Sequence, residues 1–255
     1  MIFPIWSLVV VKRASIVADQ TTGGVPGGLP GPLLASGRAA DVYDLGDGTV
    51  LRRYRDEPHP DAHLEARVMR HVADHGYRVP EVHRVEGRDL VMDRVDGPTM
   101  LEAIERAPWK ALWYARRLAG LQRKLAKIPA PDWLLADGVD TNDLGRRQSV
   151  LHLDLHPMNV IMSPRHGATV IDWTNAAAGP SGFDAALSYV EMATFEVDTP
   201  RDRLAQRVFV EAFRFFRGRS AMQPYLVAAC DHRLADPGTE PAERVAVGEL
   251  RRRFT

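Results

Sequence analysis

Cysteine is almost missing from this chain of 255 residues: Cys230 stands alone. One thiol excludes an intramolecular disulfide framework and any zinc site built from cysteines, and a reducing, cytoplasmic setting is expected. A charge excess is missing too, because 33 Lys+Arg face 33 Asp+Glu. Proteins that bind nucleic acid by neutralising phosphates carry a basic surplus, so no nucleic-acid partner is expected. Long apolar runs are lacking. Ile2–Val11, IFPIWSLVVV, is broken by Pro4 and is too short to span a bilayer, and no positive residue precedes it as in a secretory signal. No membrane partner is expected. Lysine is scarce, with four residues (Lys12, Lys110, Lys124, Lys127) against 29 arginines. Any cationic role between positions 12 and 110 therefore falls to arginine, which is planar and always charged. No Gly-Lys pair exists, which excludes a Walker-type ATPase, and no Gly-x-Ser-x-Gly elbow supports a serine hydrolase.

What is present is ordinary globular material, 45% hydrophobic and 26% charged, enough for one large domain or two small lobes. Eight of the ten residues of Gly23–Pro32, GGVPGGLPGP, are Gly or Pro, so this stretch reads as a linker. Residues 1–31 are expected to be a disordered extension or the product of a misassigned start. The alternative is a short membrane or partner anchor.

Beyond it, Pro32–Gly37, Asp41–Leu45 and Thr49–Tyr54 read as a three-stranded meander, with Gly46-Asp47-Gly48 as a tight turn. A helix is expected from about Pro60 to His75, where Leu64, Val68 and Val72 recur every four residues and Gly76 caps the end. Glu81–Val85 and Asp89–Met92 complete an antiparallel sheet. After Asp96-Gly97-Pro98 the pattern turns helical: Thr99–Ala107, Trp109–Lys127, and several helices beyond Ser181. Strands first and helices later predict an α+β protein of two lobes, 32–95 and 96–255, with a ligand cleft between them.

Chemistry concentrates between His152 and Asp172. The segment Leu151–Met162 reads LHLDLHPMNVIM, and Val170-Ile171-Asp172-Trp173 follows eight residues on. Val160–Met162 and Thr169–Ile171 form an expected hairpin that brings Asn159 and Asp172 to one end. An amide oxygen and a carboxylate together offer hard ligands suited to Mg²⁺. Asp154, outside the hairpin, is placed to act as a base in the same space. An alternative takes His152-x-Asp154-x-His156 as the metal cluster of a hydrolase, but no further His/Asp cluster completes such a site. His59, His63, His71 and His75, on or beside one helix, have i, i+4 spacings that could make a metal pair but read as a solvated face.

The pattern His-x-Asp-x-x-x-x-Asn followed by a strand-end Asp resembles the catalytic loop and metal-binding Asp of the protein-kinase-like fold. HLDLHPMN…VIDW is most similar to the aminoglycoside phosphotransferase and choline-kinase-like branch, over roughly residues 33–200. The resemblance implies a two-lobed fold, with an N-terminal antiparallel sheet plus one helix and a mainly helical C-terminal lobe. It implies a phosphotransferase that moves the γ-phosphate of ATP, or of GTP, to a hydroxyl. Asp154 would be the catalytic base, and Asn159 and Asp172 would hold Mg²⁺ against the phosphates. Glu65 matches the helix carboxylate that pairs with the phosphate-binding cation of the third strand. Asp184 matches the acid that braces the catalytic loop, and His152 is a loop scaffold. Arg38, in the weak turn Ser36–Asp41, would either touch phosphate or stay a solvated turn residue, and the backbone around Met92 to Arg94 would meet the adenine.

Two positions depart from the branch. The third-strand cation is arginine instead of lysine, and alignment together with strand parity selects Arg52 over Arg53. Leu153 replaces the usual glycine of the catalytic loop. Arginine at the cation position leaves a second reading, a nucleotide-binding pseudoenzyme acting through partners. From Phe183 to the end, eleven acidic residues balance eleven basic ones, which disfavours a polycationic antibiotic as acceptor. Glu191, Glu196 and Asp198 still form a local acidic cluster. A small hydroxylated metabolite, such as an amino alcohol or a sugar, is the expected acceptor.

Overall fold

Alternating apolar and polar residues from Leu33 onward become strands, as their pleat dictates. The computed structural model describes residues 31–37, 39–55, 62–135 and 148–255. Residues 1–30 of the expected extension and linker, Arg38, His59 and the helix start at Pro60 lie outside the described residues.

Strands β1 (Leu33–Ser36), β2 (Ala40–Asp44) and β3 (Thr49–Tyr54) form the meander, and helix α1 (Ala62–Asp74) follows. Hairpin strands β4 (Val82–Glu86) and β5 (Asp89–Asp93) complete one antiparallel sheet in the order β1-β2-β3-β5-β4. Strand β3 is therefore central, flanked by β2 and β5. Along it Val50, Arg52 and Tyr54 point to the buried face, whereas Arg53 pairs outward with Asp89 at 2.6 Å. Helix α1 buries Ala66, Val68, Met69 and Val72, and with them the acidic Glu65. Gly76, at φ +73°, ends the helix in a conformation that glycine adopts without penalty.

At the lobe junction Gly97 has φ +144°, and a Cβ there would lie 2.7 Å from the carbonyl oxygen of Met162. Only glycine allows the chain to pass so close to the backbone at Met162. Helix α2 (Met100–Arg106) begins with a capping box. Thr99 Oγ1 accepts from the Glu102 N–H at 3.1 Å, and Glu102 accepts from the Thr99 N–H at 2.9 Å.

The long helix expected from Trp109 starts instead as one 3₁₀ turn, Pro108–Lys110, before α3 (Ala111–Leu125). A short α4 (Asp132–Leu135) follows. Strand β6 (Ser149–Leu151) leads into the catalytic loop, and β7 (Val160–Ser163) with β8 (Gly167–Val170) forms the expected hairpin. Strand β9 (Ala177–Gly179) pairs with β6, a connection too short to leave a periodic signal. Helices α5 (Ser181–Thr194), α6 (Pro200–Arg217), α7 (Arg219–Met222), α8 (Leu226–Ala235) and α9 (Pro241–Arg251) complete the second lobe. Trp173, Phe183, Phe213, Leu151 and Leu155 lie fully inside its core. No helix among the described residues is long and apolar enough to cross a membrane.

Candidate active site

Three segments far apart in sequence meet at the cleft: β3, α1, and the chain from β6 to Thr174. Arg52 is the hub. Its Nη2 donates to Asp172 Oδ1 at 2.7 Å and to Thr174 Oγ1 at 2.6 Å, while its Nε lies 3.3 Å from Glu65 Oε2. The Nε contact is an ion pair without an aligned hydrogen bond. Burial works against the guanidinium charge, but Glu65 and Asp172 outweigh it and push its pKa above that of free arginine.

Glu65 is 3% exposed, and each of its oxygens is occupied. Tyr54 OH donates to Oε2, and the backbone N–H of Trp173 donates to Oε1 at 3.0 Å. Burial raises the Glu65 pKa, opposed by Arg52 and Tyr54. A carboxylate withdrawn this far from water persists only with such partners.

Asp172 closes the cluster from the second lobe. Its φ is +63°, a left-handed conformation that a non-glycine residue adopts at a cost of about 1–2 kcal/mol. That turn directs the following N–H, of Trp173, onto Glu65. Thr174 donates back to Asp172 Oδ1 at 2.7 Å, so one oxygen of the carboxylate is shared by Arg52 and Thr174. Among the described residues no hydrogen bond engages Oδ2, and the side chain is 38% exposed.

The catalytic-loop residues lie beside it. Asn159 precedes β7 and its carbonyl accepts from the Ile171 N–H at 3.0 Å, so the hairpin sets Asn159 next to Asp172 as its sequence implied. Asn159 Nδ2 donates to the backbone oxygen of Asp154 at 2.8 Å and to Asp154 Oδ2 at 2.9 Å. Its amide oxygen accepts no hydrogen bond among the described residues. Asp154 Oδ1 meets the His156 ring at 3.1 Å. Burial tends to raise the Asp154 pKa, but His156, His152 and Asn159 together hold it below the usual carboxylate range. Asp154 is therefore ionised throughout the neutral range.

Leu153 has φ +60° and is buried, so the loop takes in a leucine the shape that glycine adopts freely. Its N–H donates to Asp184 Oδ1 at 2.8 Å, which fixes the loop to the first turn of α5. Burial raises the Asp184 pKa, and the backbone N–H groups of Leu153 and His152 oppose the rise. His152 is fully buried against Trp173 and hydrogen-bonds Ile171 O at 3.1 Å, with its pKa lowered by burial. It faces the loop scaffold and not the cleft.

Met92 and Arg94 are placed differently from the catalytic cluster. Met92 is buried within β5, paired on one side with Val50 and on the other with Val82. The Arg94 N–H donates to Gly48 O at 2.9 Å, and its guanidinium binds Asp44 and Asp96. Arg94 thus clasps the β2–β3 turn to the lobe junction. Sequence reasoning passed over Tyr54, Thr174 and the pairing of His156 with Asp154. Parity gave the signal for two of them, Tyr54 with Arg52 and His156 with Asp154. Of the helix α1 histidines, His71 bonds Pro129 O and His75 bonds His71 O. No group of three metal-binding side chains exists among the described residues.

A second cavity, about 300 Å³, opens directly on Asp154 and His156. Its walls are apolar, with Leu101 and Ile104 from α2 and Phe209 from α6. Its polar groups are markedly acidic: Glu191, Glu196, Glu240 and Glu243 against the single Arg233. Arg233 is already neutralised by Glu243 at 2.7 and 3.0 Å and by Asp236 at 3.0 Å. The balanced charge of the C-terminal half is thus unevenly placed, and Glu191 and Glu196 line this cavity while Asp198 does not. Glu191 Oε2 has no exposed surface and no protein hydrogen bond. Burial, with Asp154 and Glu243 nearby, pushes the Glu191 pKa well up, and Arg233 opposes the rise.

A cation bridging a helix carboxylate to a strand-end Asp, beside an Asp/Asn loop, is an arrangement suited to phosphoryl transfer. Residues 31–132 and 90–225 match the family described as APH, phosphotransferase enzyme family, and the chain belongs to that family. By that membership it is a phosphotransferase. The fold is similar to that of aminoglycoside phosphotransferase APH(4)-Ia, with TM-score 0.59 and 17% identity over 88% of this chain and 92% of that one. It is also similar to ADP-bound APH(2'')-Ib, with TM-score 0.58 and 12% identity over 86% and 90%. A choline/ethanolamine kinase family protein from Mesorhizobium loti gives TM-score 0.51 and 18% identity over 91% and 90%. No curated protein matches the sequence.

Proposed function

We propose that the chain transfers the γ-phosphate of ATP to the hydroxyl of a small amino alcohol. Asp154 acts as the base, and Mg²⁺ is held by Asn159 and Asp172. The observation that carries this reading is the arrangement of Asp154, Asn159 and Asp172 around one cleft, beside a cavity whose glutamates outnumber its single, already paired arginine.

Asp172 Oδ2 and the Asn159 amide oxygen fit a divalent ion that takes its remaining ligands from phosphates and water, the usual condition for Mg²⁺. Bound there, the ion would neutralise charge developing on the phosphates. Arg52 supplies the fixed cation that Glu65 anchors. Asp154, ionised and clamped by Asn159 and His156, orients the acceptor hydroxyl and takes its proton late, once the oxygen–phosphorus bond is forming. The apolar walls exclude water, and Glu191 and Glu196 attract the acceptor's ammonium group. A thermostable mutant of APH(4)-Ia forms a ternary complex with AMP-PNP and hygromycin B, and a nucleotide plus a small amino alcohol is the corresponding pair proposed here. The lone buried Cys230 accords with a cytoplasmic setting.

Thermal unfolding with ATP or GTP, each with and without Mg²⁺, tests the nucleotide half. A nucleotide at about 100 times its Kd should add about 2.7 kcal/mol to stability. The shift is expected to require Mg²⁺ and to disappear in Asp172→Ala. No shift with either nucleotide would mean that the Arg52–Asp172 pair has closed the site, and the pseudoenzyme reading would replace this one.

The acceptor half predicts a pH effect. Raising the pH through the elevated pKa of Glu191 ionises it, so KM for an amino alcohol should fall as pH rises, until the acceptor amine itself loses its proton. Glu191→Gln should raise that KM by about tenfold and flatten its pH dependence, the scale of one charge-assisted hydrogen bond. An unchanged KM for amino alcohols, with turnover on neutral sugars, would move the acceptor class to sugars.

A further inference from the structure

A cavity of about 490 Å³ lies on the outer side of α3 and shares no lining residue with the acceptor cavity. Three elements build it: the turn after α1 with Gly76, Tyr77 and Arg78, the outward face of α3, and Ala168 on β8. Five cations line it, Arg78, Arg116, Arg117, Arg123 and Lys124, and no carboxylate does. Arg116 and Arg123, like Arg117 and Lys124, are seven residues apart, so each pair occupies one face of α3 two turns apart.

Some arginines elsewhere in this neutral chain are paired with carboxylates, whereas others, Arg217 and Arg244 among them, are held by backbone carbonyls. Arg53, Arg55, Arg94, Arg233 and Arg251 each hold a carboxylate within 3 Å. Among the described residues none of the five cavity cations has a carboxylate partner. Two are instead held by backbone carbonyls, Arg78 by His166 O at 2.6 Å and Arg123 by Phe216 O. Those bonds position the guanidinium groups without cancelling their charge. Arg117 lies 5.3 Å from the centroid of the half-exposed Trp113 ring, which forms part of the wall.

Like charges gathered in a concave site raise the local potential and concentrate anions there. Planar guanidinium forks match phosphate oxygens in pairs, and arginine supplies four of the five cations. The geometry points to a second ligand site, on α3, for a compact anion carrying several phosphates, separate from the nucleotide and acceptor sites. A free phosphorylated metabolite and a phosphorylated lipid headgroup present the same chemistry.

The test is calorimetric titration of the full chain with myo-inositol hexakisphosphate at about 0.15 M salt, where long-range attraction is largely screened. One site per chain is expected. Arg116→Glu/Arg117→Glu should weaken it by about tenfold or more, the loss of two charge-assisted contacts. Arg252→Glu/Arg253→Glu, with the same change in net charge, should leave it nearly unaltered. Sedimentation with phosphatidylcholine vesicles carrying phosphatidylinositol bisphosphate separates the two sources. Retention that the free probe competes away, and that the α3 variant loses, assigns a lipid headgroup. Binding of the free probe without retention assigns a soluble metabolite. No binding in either arm, or equal weakening in both double variants, would overturn the site.

Discussion

Asp154→Asn is expected to lower kcat by about 10²–10⁴-fold, the range that a positioned base contributes, while leaving the Kd for nucleotide close to the wild-type value. The geometry separates the two effects. Among the described residues no hydrogen bond or ion pair joins Asp154 to Arg52 or Glu65, and its carboxylate, held by Asn159 and His156, lines the 300 Å³ cavity. An amide in its place has one acceptor atom where the carboxylate has two, and no charge to draw a hydroxyl proton. Because His156, His152 and Asn159 hold the Asp154 pKa down, the wild-type carboxylate is ionised above its already low folded pKa. Activity that depends on it should be lost only as the pH falls through that value. An inflection in kcat near neutrality would belong to another group, and survival of transfer in Asp154→Asn would remove Asp154 from its role.

Arg52→Met should produce the largest loss of stability, about 3–5 kcal/mol, read from urea midpoints at neutral pH. The reason is Glu65, buried on α1 and neutralised chiefly by Arg52. A methionine fills much of the space and strands the carboxylate. Glu65→Gln/Arg52→Met should recover much of the loss, because no charge then remains to be buried. Arg52→Lys keeps the positive charge without the fork that spans Glu65, Asp172 and Thr174. It should therefore release Asp172 and lower the Mg²⁺ concentration needed for half-maximal nucleotide binding. An unchanged Mg²⁺ requirement would show that the Arg52–Asp172 pair does not oppose the metal.

The departure at Leu153 shows where chain and scaffold were legible together. The sequence marked it as a leucine at a glycine position, and the structure gives it a left-handed φ, held by the bond of its N–H to Asp184. Strain kept at a functional loop is sustained by the packing around it. Here the buried leucine side chain and the Asp184 bond do that work.

Alignment together with strand parity in VLRRY separated the inward Arg52 from the outward Arg53, because successive side chains on a strand face opposite ways. Hairpin length was enough to bring Asn159 and Asp172 to one end, since an antiparallel pair fixes its own register. These relations are local, and local geometry is written in residue order. The three-residue strands β6 and β9 left no periodic signal, and nothing in the order of residues joins Arg52 to Thr174 or Tyr54 to Glu65. Charge placement was even less accessible. Eleven acids and eleven bases in the last 73 residues gave a neutral average. Folding gathers Glu191, Glu196, Glu240 and Glu243 around one cavity and directs four arginines and a lysine into another. A potential depends on distances in space, and packing alone sets the distances between residues remote in the chain.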